Sequence, residues 1–242
     1  MNAPQHELLK FATPVELARA AADAWLDEIA AARRAGRPHC AALSGGRIAQ
    51  TFFSETVTRA RARAVPFGGV DFFWADERCV PPEDPESNFK LANEHLLAPL
   101  HIAAGKIHRI RGEDFPQAAA ESADKDLKRV TRKDREQRAV LDLVFLGMGE
   151  DGHVASLFPN SPAKIVDKFV SFWVVENSPK PPPTRITLSY EAIFAAENLW
   201  ILISGAGKAK ALRESWSGTG TTPLARVMAA RPVKIFSDIN EF

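Results

Sequence analysis

Asp151 and His153 stand two residues apart in the stretch LDLVFLGMGEDGHVASLFP, where Gly147, Gly149 and Gly152 follow an apolar run. Histidine titrates near neutrality and is the commonest general base, and a carboxylate beside it can fix its orientation. On a glycine-bracketed loop at a strand end, this pair points to proton transfer. The same glycines match G-x-G-x-x-G, a spacing that binds a dinucleotide pyrophosphate when it opens a long helix. Here Glu150 and Asp151 place two anions where the pyrophosphate would sit, and Pro159 and Pro162 leave room for only a short helix. Glu176, at the end of a later strand, is the residue that a ribose-binding reading would use. The turn is better read as one that projects Asp151 and His153. No second histidine or cysteine stands at ligand spacing, so a metal is not expected.

Three further clusters sit where predicted strands end: Ser44-Gly45-Gly46, Asp76-Glu77-Arg78 and Gly205-Ala206-Gly207-Lys208. Short apolar runs alternate with helical patterns, the signature of an α/β fold with a mainly parallel sheet and crossover helices. Thr13-Pro14-Val15-Glu16 forms a capping box with proline at the first helical position, predicting a helix to about Arg34. Strands are predicted at 39–43, 70–75, 141–146, 169–175, 184–188, 199–203 and 233–236. Helices are predicted from Ile48 to Ala64, from near Ser87, and within the charged segment Asp114–Arg138. In a parallel sheet the four clusters converge on one rim, where open α/β sheets bind ligands. No repeat or composition break divides residues 1–242, so a single domain is expected.

The chain has 242 residues, 45% of them hydrophobic and 25% charged, with a formal net charge of +1. That balance predicts no long-range attraction to nucleic acid or membranes, although a local basic pocket remains open. The N-terminus lacks the basic-then-apolar layout of a signal peptide, and no apolar run is long enough to span a bilayer. Cys40 and Cys79 are too few for a disulfide framework, so the cytoplasm is the expected compartment. Cys79 follows Arg78, which could lower its thiol pKa.

The segment LGMGEDGHVASLFP closely resembles the signature of the 6-phosphogluconolactonases, in the superfamily shared with glucosamine-6-phosphate deaminase. ALSGG, ADERCVPPEDPESNFKLANEHLL, TRITLSYEAI and LWILISGAGKAKAL agree with that family in order. The resemblance implies a three-layer, modified Rossmann-like (NagB-like) fold with helices on both faces of a twisted sheet. It implies hydrolysis of 6-phosphoglucono-δ-lactone to 6-phosphogluconate in the oxidative pentose phosphate pathway, without cofactor or metal. The expected partner is the sugar phosphate lactone, and the expected state a monomer or weak homodimer.

Ester hydrolysis needs a base, an oxyanion environment and, here, a phosphate anchor. His153 is the candidate base, with Asp151 or Asp76 as its helper. Arg78 could stabilise the carbonyl oxygen, or instead pair with Asp76 or Glu77. Ser44, Gly45 and Gly46 would offer backbone N–H groups and a hydroxyl to the phosphate at a helix N-terminus. Arg185 and Lys208 match the family's basic positions and would clamp the same group. One departure stands out: Arg47-Ile48-Ala49 occupies the place of the family's small hydroxyl residues and proline. Losing the hydroxyl could weaken phosphate binding, or Arg47 could add a charge-assisted bond. Two rivals share the architecture. A deaminase carries a further acidic residue after the histidine, where Phe158 stands here; a sugar-phosphate sensor usually carries a helix-turn-helix ahead of the domain.

Overall fold

The computed structural model describes residues 4–159 and 170–240. In chain order the elements are β1 (Glu7–Lys10), α1 (Pro14–Arg34), β2 (His39–Leu43), α2 (Arg47–Ala62), β3 (Val70–Trp74) and β4 (Asp76–Arg78). Next come α3 (Asn88–Ala92, continued by a π-helical turn), α4 (Pro116–Val130), β5 (Arg132–Lys133), β6 (Ala139–Val140) and β7 (Leu143–Gly147). The chain finishes with β8 (Phe172–Val175), β9 (Arg185–Leu188), α5 (Tyr190–Ala195), β10 (Asn198–Ile203), α6 (Ala209–Trp216), α7 (Pro223–Ala230) and β11 (Lys234–Ser237).

Six strands form one sheet in the order β1-β11-β10-β7-β2-β3, and every pairing in it is parallel. Every residue of β2 and of β3 is buried, as expected of a parallel sheet covered on both faces. Successive side chains alternate between those faces. Phe72 lies against Trp25 of α1, with ring centroids 6.2 Å apart, whereas its neighbour Phe73 stacks on His108 at 4.6 Å. Trp25 is the hub of its layer, also meeting Phe52 of α2 at 5.7 Å and Phe145 of β7 at 5.0 Å. The architecture is the expected three-layer α/β fold.

Thr13 caps α1 as its motif requires, accepting from the Glu16 N–H at 3.1 Å, while the Glu16 carboxylate accepts from the Ala12 N–H at 3.0 Å. Other expectations need correction. Strands 172–175 and 185–188 do not join the parallel sheet; with β4 they form a separate antiparallel sheet in the order β4-β9-β8. The first residue of the predicted strand 169–175, like Pro162, lies outside the described residues. The predicted helix within 114–138 stops at Val130. Beyond it, Asp134 accepts from the backbone N–H groups of Glu136 and Arg138, each at 2.9 Å, and this local turn closes the β5–β6 hairpin.

Candidate active site

β2, β3, β7 and β10 run in one direction, so the four clusters do meet at their carboxyl ends. A cleft of about 620 Å³ opens there, and Ser44, Gly45, Gly46, Arg47, Asp76, Arg78, His153, Arg185 and Lys208 all line it. Asp151 stands behind His153 rather than in the lining. Among the described residues, Arg47, Arg78, Lys180, Arg185 and Lys208 face only two carboxylates in the lining, Asp76 and Glu150. A chain that is almost neutral overall thus concentrates positive charge in the cleft.

The loop after β7 holds the candidate base. Gly152 has φ +78° and its carbonyl accepts from the Leu224 N–H at the start of α7, which fixes the turn. The Gly149 N–H donates to the His153 carbonyl at 2.9 Å, folding the chain back on itself. The absence of a side chain at Gly149 leaves room for the pair: a Cβ there would come within 2.1 Å of the His153 ring and 2.5 Å of Asp151 Oδ1. No helix follows Gly152 as far as Pro159; the chain instead makes bridges at Met148–Val154 and Val154–Leu157. The dinucleotide reading therefore lacks the helix N-terminus it needs.

His153 Nδ1 lies 2.5 Å from Asp151 Oδ1. A carboxylate can only accept here, so the proton sits on Nδ1 and Nε2 is left with a free lone pair. Burial pushes the His153 pKa below its ordinary value, against the opposing pull of the Asp151 bond. The imidazole is accordingly neutral at pH 7, the form a base requires. Burial acts to raise Asp151, but the His153 bond and nearby charges, including Lys180 at 3.6 Å, hold it below its ordinary value. Asp151, not Asp76, is the histidine's partner. Asp76 accepts from Ser156 Oγ at 2.6 Å and from Asn88 Nδ2 at 3.2 Å.

The basic residues separate into distinct kinds. Arg78 pairs with neither Asp76 nor Glu77: its Nη1 donates to the Glu86 carbonyl at 2.6 Å and lies 3.4 Å from the Glu86 carboxylate. Its Nε is buried without a partner among the described residues. Arg185 is 3% exposed, with Nε and Nη2 donating to the carbonyls of Lys180, Pro181 and Pro182. Only Nη1, 3.5 Å from Ser156 Oγ, remains as an edge toward a ligand. Arg185 is therefore first a strut for the 180–182 loop. Lys208 makes no ion pair among the described residues. Burial, and then the charge of Arg47, push its pKa down, placing the two cations in one electrostatic neighbourhood.

The first loop leads into the N-terminus of α2. Gly46 caps α2 with φ +98° and offers no side-chain bond, so the first-turn N–H groups of a 16-residue helix stay open. Gly45 approaches Asn88 so closely that a Cβ would meet its Oδ1 at 1.9 Å. The Ser44 hydroxyl, expected to face the phosphate, instead donates to the Phe145 carbonyl at 2.8 Å. Cys79 also departs from expectation: burial first, then Glu77, raise its thiol to about 11.

Sequence reasoning missed Asn88 and Lys180, and read Glu150 only as an anion opposing a pyrophosphate. Asn88 holds Asp76 and supports Gly45; Glu150 packs against Gly207, where a Cβ would meet its Oε1 at 2.8 Å. Lys180 stands in the proline-rich SPKPPP, and nothing in its local pattern tells that it faces Asp151. Among the described residues, no three histidine, cysteine, aspartate or glutamate side chains gather as a metal would need.

A family model described as glucosamine-6-phosphate isomerases/6-phosphogluconolactonase matches residues 12–236. A "Probable 6-phosphogluconolactonase 3, chloroplastic" from Oryza sativa subsp. indica is 36% identical over 183 residues, 73% of this chain and 55% of that protein. The chain thus spans little more than half the length of that relative. A 6-phosphogluconolactonase from Streptomyces coelicolor is 33% identical over 212 residues, 84% of this chain and 80% of that one. The crystal structure of 6-phosphogluconolactonase from Leishmania guyanensis superposes with a TM-score of 0.84 at 26% identity, covering 96% of each chain. With the family model spanning nearly its whole length, the chain belongs to the glucosamine-6-phosphate isomerase/6-phosphogluconolactonase family.

Proposed function

We propose that this protein hydrolyses 6-phospho-D-glucono-1,5-lactone to 6-phospho-D-gluconate. The observation that carries the reading is the His153–Asp151 pair at 2.5 Å, set in a cleft that also holds the α2 N-terminus, Arg47 and Lys208. The phosphate seats on the open N–H groups after Gly45 and Gly46, between Arg47 and Lys208. That anchor fixes the lactone ring against His153, so positioning lowers the barrier before any bond changes.

Nε2 of His153 then takes a proton from water as the water oxygen attacks the lactone carbonyl carbon. The carbonyl electrons move onto oxygen, and Arg78 offers that oxyanion its charge. When the tetrahedral intermediate collapses, the ring C–O bond breaks. The imidazolium returns its proton to the departing ring oxygen, leaving a carboxylic acid that ionises. Asp151 keeps the imidazole in the right tautomer and stabilises its charged form through the cycle.

Deamination of glucosamine 6-phosphate is disfavoured by one contact. Phe158 packs on His153 at a ring-centroid distance of 4.7 Å, and the Arg185 guanidinium lies over the same phenyl ring, 5.7 Å from its centroid. A phenyl ring in that place transfers no proton.

The test is turnover of 6-phosphogluconolactone by purified protein, corrected for spontaneous hydrolysis, with glucosamine 6-phosphate run in parallel. Release of acid from the lactone and no ammonia from the amino sugar are expected. Ammonia release, or no acceleration of lactone opening, refutes the reading.

A further inference from the structure

At the opposite end of the sheet, a second cleft of about 510 Å³ opens below the amino-terminal ends of β2 and β3. It shares no lining residue with the first. We infer that it is a binding site for a small organic anion: an apolar body against Pro38 and Pro66, and a phosphate or carboxylate head met by Arg33, Arg37 and Lys106. This inference does not depend on the reaction assigned to the other cleft.

The charge distribution argues for it. Among the described residues, three cations line this cleft and no aspartate or glutamate does. The two carboxylates that answer them lie outside the lining and are almost fully buried. Asp142, 6% exposed, takes Arg37 Nη1 at 2.8 Å; Asp71, 5% exposed, takes Lys106 Nζ at 2.9 Å. Each of those bonds uses one donor, so Arg37 and Lys106 keep N–H groups for a ligand. Arg33 makes no ion pair among the described residues and is wholly available.

A second, independent observation lies in the wall. His39 is 2% exposed, and its Nε2 accepts the indole N–H of Trp25 at 3.1 Å. The proton must then sit on Nδ1, and that buried donor has no acceptor among the described residues. That unanswered donor adds to the positive potential of the three cations, which an anionic head in the cleft balances. The volume falls within the range of small-molecule pockets, roughly 300–1,000 Å³.

The experiment uses 8-anilinonaphthalene-1-sulfonate, an anion on an apolar body whose fluorescence rises on binding, with wild type, Arg33→Glu and Arg34→Glu. Arg34 shares the last turn of α1 but does not line the cleft, so it controls for net charge and for helix effects. Arg33→Glu is expected to weaken binding at least about tenfold, the usual worth of a charge-assisted bond, with Arg34→Glu within about twofold of wild type. Backbone amide shifts on titration should appear at Gly36, Gly68 and Gly69. Competition by adenosine monophosphate and by salicylate then tells a phosphate head from a carboxylate head. Equal weakening in both variants, displacement of the probe by 6-phosphogluconate, shifts confined to Gly45 and Gly46, or no binding at millimolar probe overturns the assignment.

Discussion

One short contact, His153 Nδ1 to Asp151 Oδ1, governs the residue scale. His153→Ala should lower kcat by about a hundredfold or more, the usual worth of a general base, with the fold intact by circular dichroism. Asp151→Asn gives a sharper test, because its sign can be worked out. Activity needs neutral imidazole, so it is lost as pH falls through the His153 pKa, already below the ordinary histidine value. The Asp151 bond and charge act to raise that pKa. Removing them should move the acid limb of kcat to lower pH while reducing the plateau; a limb that moves to higher pH refutes the assignment. Lys208 and Arg185 should also separate. Lys208→Ala, with no ion pair to lose, should raise KM and leave the melting temperature unchanged. Arg185→Ala releases three loop carbonyls, so it should lower the melting temperature as well. Identical behaviour of the two variants would show that Arg185 is not a strut.

An element is legible in sequence when local chemistry alone decides it. The Thr13 capping box, the Ser87 cap and the glycines after β2 and β7 are of this kind, and the structure places α1, α3 and both turns accordingly. What stayed hidden was decided by distant partners. β1 is four residues with no apolar run, and it exists because the edge of β11 offers it a parallel ladder. β8 and β9 read as ordinary strands, and only pairing with β4 sets them apart from the main sheet. The same division holds for the site: Asp151 and His153 are neighbours in sequence, whereas Lys180 reaches them only through the fold. The β7 loop carries the test at this scale. Gly149→Ala meets a displaceable imidazole rather than backbone, so the chain should fold with a melting temperature within a few degrees of wild type. The added methyl, 2.1 Å from the ring position, must then push His153 off Asp151. A kcat loss of about tenfold or more at unchanged stability is expected, since small displacements of reacting groups are costly. Full activity would mean that the ring's present placement is not the working one.

Across the whole molecule, the parallel sheet carries titratable groups at both of its ends. His39 opens β2 at the end opposite His153. Charging it would place a proton on Nε2, break the Trp25 bond and bury a cation. Desolvation therefore lowers its pKa to about 4, with Arg37 assisting and Asp142 opposing. In the unfolded chain the same imidazole titrates near about 6.5. Between those two values the unfolded state binds a proton that the folded state refuses, so stability falls as pH falls. Fully developed, the His39 contribution is on the order of 3 kcal/mol and is complete only below about pH 4. His39→Gln keeps an acceptor for Trp25 but cannot titrate. Urea unfolding at intervals from pH 7 to pH 4 should show wild type losing more stability than the variant, with the gap opening below about pH 6.5. Profiles that stay parallel throughout would mean that His39 accepts its proton in the folded state at no cost, and that the Trp25 bond does not hold it neutral.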